Sequence, residues 1–164
     1  MLRRGLLHTL ALVSLIIAAS ACSSPPDGEP PTRFTIRPDD YHVPYAGTAA
    51  DGRRFFLSEE LGTPEDPDTW YVGLFLWHPD GTFDEVVAER VATVPASDRL
   101  RETYLASLGD YVLEPVEVTP FTTEIDGITF GWAVSEYEGI WSINIEPGDF
   151  IAYNEPWDGV DYDT

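Results

Sequence analysis

The residues that could carry chemistry are few, apart from the acids. Away from the N-terminus there are two histidines, His42 and His78. The chain has no glycine-rich phosphate loop, no Gly-x-Ser-x-Gly elbow, no His-Glu-x-x-His and no pair of cysteines. A hydrolytic triad would have to use one of the two histidines. His78 opens His78-Pro79-Asp80-Gly81, where proline presets φ and glycine accepts positive φ, so it reads as a turn residue rather than a base. Twenty-nine acids make paired carboxylates for glycoside chemistry so easy to find that no pairing is informative. The sharper question is metal binding. Asp158, Asp161 and Asp163 with Gly159 form an acidic segment, DGVDYD, but the spacing is not that of an EF-hand loop. PEDPD at Pro64–Asp68 and Asp39-Asp40 are similar. The expectation is solvated loops, with no resident metal and no cofactor. Trp157, Asp158, Asp161 and Asp163 are the candidate ligand-binding residues, and no catalytic residue is assigned.

The element around which the rest is organised is Trp70–Val91. Trp70–Trp77 is apolar throughout, including Gly73, which suggests a strand covered on both faces. After the Pro79-Asp80-Gly81 turn, Thr82–Val91 returns. Phe83, Val87 and Val91 recur at intervals of four and suit a helix as well as a strand; the tight turn before them favours a strand. Upstream, Arg33–Arg37 is a short strand stopped by Pro38, Asp39–Gly52 is rich in turn formers, and Arg53–Ser58 is a strand. Glu59–Asp68, with Gly62, Pro64 and Pro67, is expected to be a polar loop.

Pro95–Gly109 is the clearest helix. Ser97 can cap it, Leu100, Tyr104, Leu105 and Leu108 form one stripe, and Gly109 suits the position after its end. The period then changes to two. Val116 and Val118 alternate, and Phe121, Thr123 and Ile125 lead into Asp126-Gly127, a two-residue hairpin loop. Ile128, Phe130, Trp132 and Val134 alternate after it, so Ile125 faces Ile128, Thr123 faces Phe130 and Phe121 faces Trp132. Trp141, Ile143 and Ile145 form another strand, Glu146–Asp149 turns, and Phe150–Tyr153 pairs back. The fold class is α+β: a hairpin, one helix and then an antiparallel β-meander, in a single domain over residues 33–164.

The leader has its own logic. Met1–Ala21 carries Arg3 and Arg4, then an apolar run from Leu6 to Ala19 with no acid, the form of a secretory signal rather than a membrane span. It ends in Ala19-Ser20-Ala21-Cys22, which resembles a bacterial lipoprotein signal, although Ala19 stands where leucine is commoner. The resemblance implies that Cys22 is lipidated, becomes the first residue and anchors the chain to a membrane, facing outside the cytoplasm. Cys22 is the only cysteine, so no internal disulfide can form. Residues 22–32 are then the lipidated cysteine and a tether: SSPPDGEPPT has four prolines and no large apolar residue. Ten residues in polyproline II would span roughly 30 Å.

Charge excludes some partners. Beyond residue 21 there are 29 acids against seven arginines, a formal charge of 7 − 29 = −22, with no lysine anywhere. Nucleic acid needs a basic footprint, so it is excluded, and an anionic lipid surface would repel the domain. A cationic ligand or a basic protein face is the partner this charge suits. Solubility and self-repulsion at a crowded membrane is the blander explanation, and the favoured one.

Phe121–Gly131 (FTTEIDGITFG), Pro156-Trp157-Asp158-Gly159 and the following Tyr162-Asp163-Thr164 carry a second resemblance. The stretch from about Trp70 onward is similar to small bacterial proteins, some labelled formate hydrogenlyase regulatory proteins. The resemblance implies a similar α+β fold and transfers no functional residue. A cytoplasmic regulatory role conflicts with a lipid anchor outside the cytoplasm. Pro156–Gly159 reads either as a turn whose Trp157 packs on the sheet, the favoured reading, or as a recognition loop. Two classes of function follow. The first is a lipid-anchored extracytoplasmic binding protein, for which five tryptophans and eight tyrosines supply recognition surface. The alternative is an extracytoplasmic hydrolase-like enzyme using scattered carboxylates.

Overall fold

The computed structural model describes residues 28–63 and 66–164. The signal segment 1–21, Cys22 and the first part of the tether lie outside the described residues. The elements are β1 (Phe34–Ile36), β2 (Tyr45–Thr48), β3 (Arg54–Thr63), β4 (Asp66–Trp77), β5 (Phe83–Val91), α1 (Val94–Ser107), β6 (Val112–Leu113), β7 (Val116–Val118), β8 (Phe121–Ile125), β9 (Ile128–Tyr137), β10 (Ile140–Glu146) and β11 (Ala152–Tyr153). They form an α+β domain built on antiparallel pairing. One sheet has the order β5-β4-β3-β2-β6, a second the order β11-β10-β9-β8, and β1 pairs with β7 in a short ribbon.

Three layers result, and β4 lies in the middle one. Alternation along its run sends Phe75 and Trp77 to one side and Val72, Leu74 and Leu76 to the other. On the first side they meet Phe130, Trp132, Ile143, Ile145 and Tyr153 of the four-stranded sheet, with Phe34, Ile36, Val116 and Val118 of the ribbon. On the second they meet Tyr104 and Leu108 of α1, with Leu100 and Leu105 packed alongside. The run is apolar throughout because both faces are covered, as its length implied. Aromatic rings carry the contact between the sheets: Phe56 lies 5.6 Å from Phe75 and 5.3 Å from Trp132, centroid to centroid.

The β8–β9 hairpin has the expected register, with Ile125 opposite Ile128, Thr123 opposite Phe130 and Phe121 opposite Trp132. Asp126 and Gly127 both take positive φ, 52° and 81°, as a two-residue turn of this kind requires. β11 folds back on β10, with Tyr153 opposite Ile143.

Three expectations need correction. Glu59–Asp68 is not simply a loop, since β3 runs on to Thr63 and β4 begins at Asp66. A bulge makes this possible. Ser58 pairs with Gly73 and Leu61 with Tyr71, three residues against two, so the side-chain sense flips and Leu61 joins the inter-sheet core. The second correction is β2, a strand within the turn-rich Asp39–Gly52 segment, flanked by β3 and β6. The third concerns Ser97. The helix starts three residues earlier, with Thr93 in extended conformation at its N-cap and a proline in the first turn. Ser97 is buried, and its hydroxyl donates to Glu59 Oε1 at 2.6 Å instead of capping.

The end of the tether also touches the domain. Pro31 is buried, and Gly28 and Glu29 line a surface concavity with Trp141 and Trp157. Composition placed these residues in a spacer because they have little to bury themselves; what they contact belongs to other segments.

Candidate ligand-binding surface

The four candidate residues lie on the segment that follows β11, and that segment is well held. The Asp163 amide donates to the Ala152 carbonyl and the Ala152 amide to the Asp163 carbonyl, both at 2.9 Å, which folds the chain back along the sheet edge. Between them, the Trp157 amide donates to the Asn154 carbonyl at 3.0 Å, and the Trp157 carbonyl accepts from the Thr35 amide of β1 at 2.8 Å. Trp157 has φ 64°, a left-handed conformation that a tryptophan adopts at a cost of roughly 1–2 kcal/mol. Its ring is half-buried against the inter-sheet core, as the turn reading of Pro156–Gly159 expects.

Tyr162 ties this segment to the N-terminal part. Its hydroxyl donates to Asp39 Oδ2 at 2.7 Å, and its ring meets Tyr153 edge-on at 5.6 Å. Burial, with the bond to Asp39 second, pushes the Tyr162 phenol up to about 12. Burial pulls the Asp39 carboxyl upward, but donation from Tyr162 and from the amides of Val43 and Tyr41 outweighs it and holds the group below its ordinary value. At the β10–β11 turn the balance is reversed. Burial raises the Glu146 carboxyl, and the neighbouring Asp149 charge raises it further.

The acidic candidates separate from the tryptophan. Asp158, Asp161 and Asp163 share a concavity of about 230 Å3 with Glu155 and Tyr162. Asp158 Oδ1 is engaged by the Val160 amide at 3.0 Å, and Asp163 Oδ2 accepts from Asn154 at 2.7 Å. Among the described residues, no three His, Cys, Asp or Glu side chains are grouped to hold a metal ion. Trp157 lines a different concavity, of about 250 Å3, with Glu29, Ile140, Trp141 and Glu155. A third, of about 300 Å3, lies on the outer face of the sheet between Tyr137, Ile140, Asn144, Asp149 and Asp163. Each pair of them shares a wall, Asn154 and Asp163 between the first and the third, Glu155 between the first and the second, and Ile140 between the second and the third, so they form one continuous surface. Among the described residues, none that lines them is positively charged. Arg37 lies beside Gly159 but lines none of the three.

The reason is simple. Residues 121–164 contain ten acids and no lysine, arginine or histidine. This asymmetry was available in the sequence and marks the surface better than the DGVDYD motif does. Trp141, Glu29 and Glu155 are the members that sequence reasoning missed. Trp141 Nε1 and Asn144 Oδ1 are buried in this region without a hydrogen-bond partner among the described residues, as are Trp132 Nε1 and Tyr153 Oη deeper in the core.

The histidines lie elsewhere. His42 Nδ1 is 2.6 Å from Glu60 Oε2, with the Tyr41 ring 3.9 Å away and tilted by 49°. His78 is exposed, with Nε2 3.7 Å from Asp84. Among the described residues neither is hydrogen-bonded to a hydroxyl or thiol that could act as a nucleophile. The segment after β11 presents carboxylates and aromatic rings, held in place by its own hydrogen bonds. A scan of protein-family models gives no match to this chain, and searches of curated proteins and of solved structures give none either.

Proposed function

We propose that this chain is a lipid-anchored extracytoplasmic binding protein whose C-terminal face takes a cationic partner. The observation that supports it best is the continuous surface of three concavities around residues 137–164, whose lining mixes acids and aromatics with neutral residues and, among the described residues, includes no base. Charge of one sign focused in concave, low-dielectric surroundings raises the local concentration of the opposite sign. The Ala-Ser-Ala-Cys22 end of the signal supports the anchor.

The face is tested by titrating the full chain with spermine and with an oligolysine at low and at physiological salt. Saturable binding that weakens with salt but persists at physiological strength is expected, since exposed charges are screened within about 8 Å there. No saturable binding at either strength overturns the reading. The anchor is tested by Cys22→Ser and cell fractionation. The variant is expected to leave the membrane fraction, and its retention there would remove the lipid.

A further inference from the structure

The concavity between Trp141 and Trp157 differs from its two neighbours. It brings two indole rings and two carboxylates, Glu29 and Glu155, around one space, with Ile140 at its side. We infer that this space is a site for an alkylated ammonium head group, a cation whose charge is wrapped in methyl or methylene groups. The inference rests on the reading of this face as cation-binding and names the chemistry of one part of it.

The indoles and the carboxylates ask for the same ligand. An indole face attracts a cation through its quadrupole, more strongly than the other aromatic side chains do, and recognition of quaternary ammonium by aromatic cages is the usual outcome. The carboxylates add charge without asking for a directional donor, which a methylated ammonium cannot supply. A bare metal ion would want several oxygens and gain little from indole. A neutral sugar would want side-chain donors beside the acceptors, and the lining offers no charged or amide donor. The space, about 250 Å3, falls below the roughly 300–1,000 Å3 of sites for drug-sized ligands, so it suits a head group.

The site is also positioned. Trp141 stands at the start of β10 on the same face as the buried Ile143 and Ile145. Trp157 is fixed by its amide and carbonyl hydrogen bonds in a left-handed conformation, a strain found most often where a side chain must be aimed. Glu29 comes from the far end of the tether, so the ligand would also fasten the tether to the domain.

The test is calorimetric titration of the full chain with choline and with 3,3-dimethylbutan-1-ol, its uncharged carbon isostere. Choline is expected to bind saturably and the isostere about tenfold more weakly or not at all. Trp157→Leu should weaken choline about tenfold, and Glu155→Gln about threefold with an unchanged melting temperature. Should Trp157→Leu fold poorly, Glu155→Gln and Glu29→Gln carry the test, both being surface changes. Equal binding of choline and its isostere, or choline binding indifferent to all three substitutions, overturns the site. Spermine is titrated in parallel. Spermine binding without choline binding would sink this site and leave the acidic face standing; neither binding would sink both. Vesicles of phosphatidylcholine against phosphatidylglycerol separate the sources: retention on the former assigns a lipid head group, and choline binding without retention assigns a free solute.

Discussion

Around the five-stranded sheet, α1 and the β1–β7 ribbon, acids sit beside bases. Arg53 reaches Asp51 at 2.7 Å and Asp84 at 3.3 Å, Arg101 reaches Glu59 at 2.8 Å and Asp98 at 2.9 Å, and Arg33 reaches Glu117 at 3.2 Å. Around the four-stranded sheet the local sequence supplies no base at all, so ten acids share one end of the molecule. Both regions are acidic in composition, and they use acidity differently. In the first, carboxylates orient arginines that span strand to strand and sheet to helix. In the second no base sits among them in sequence, and the partners they do have are neutral donors such as Asn154 and the Val160 amide, so their mutual repulsion is not cancelled.

The comparison assumes one cooperative body, and the largest test breaks that body at its join. Phe56→Ala removes the ring between Phe75 and Trp132 and should cost about 3–5 kcal/mol. Urea unfolding followed by far-ultraviolet dichroism and by tryptophan fluorescence should give coincident transitions, shifted together. Two separated transitions would mean that the two sheets are independent units.

Next comes pairing itself. Arg101 and Glu59 are each about three-quarters buried in their side chains, 23% and 24% exposed. Arg101→Met leaves Glu59 with Ser97 as its remaining side-chain hydrogen-bond partner and should cost about 1–3 kcal/mol in the same urea experiment. No loss would show that pairing on the helix side is decorative, and the contrast with the other sheet would lose its meaning. At the unpaired end, Gly127→Val should cost about 1–2 kcal/mol through backbone strain alone, because φ is 81° and a Cβ there meets nothing within 4 Å. An unchanged melting temperature would contradict the turn geometry.

The same two regions differ in how readable they were. The β8–β9 register followed from strict alternation on both sides of Asp126-Gly127, because one face is buried and a slip of one residue would expose it. β2 was hidden because Gly47 reads as a turn former. It is a strand glycine because another backbone passes there: a Cβ at Gly47 would lie 1.9 Å from the Val112 carbonyl oxygen of β6. The continuation of β3 was hidden because Glu59 and Glu60 are polar, and their partners Arg101, Ser97 and His42 lie 18 to 42 residues away. The candidate site was legible only in Trp157 and the aspartates. Trp141, Glu29 and Glu155 come from three segments that no local pattern connects.

Acid separates the regions further. Asp39 is held below its ordinary 3.8 in the fold, so its contribution is present above that value and is lost as pH falls through and below it. Glu146 is held above 4.5, so its ionisation opposes folding at neutral pH and the opposition disappears as the group protonates. Tyr162, raised from 10.0 to about 12, contributes below pH 10 and loses that contribution as pH rises toward 12. Melting temperature against pH should therefore fall less steeply in acid, and less steeply in alkali, for Tyr162→Phe than for the parent. Glu146→Gln should leave the acid limb of Asp39 in place while removing the gain on mild acidification. Parallel curves for parent and both variants would mean that neither region responds through these groups.

The smallest effect is the one that bears most directly on the contrast. If acids of the four-stranded sheet only repel, neutralising one should not destabilise the fold. Glu124, on the exposed side of β8, is the cleanest probe because no ion pair involving it is present among the described residues. Glu124→Gln should leave stability unchanged or raise it by up to about 0.5 kcal/mol, and moderate salt should abolish the gain by screening the same repulsion. Asp84→Asn is the matching change on the paired side. It removes the negative charge facing Arg53 and should lower stability by up to about 1 kcal/mol, again less in salt. The prediction is a difference of sign between two acid-to-amide changes of equal size, read as melting temperatures at low ionic strength. A drop for both would mean that the unpaired acids hold contacts of their own. A rise for both would mean that net charge alone governs this protein, and that the arginines around the helix do not distinguish one half from the other.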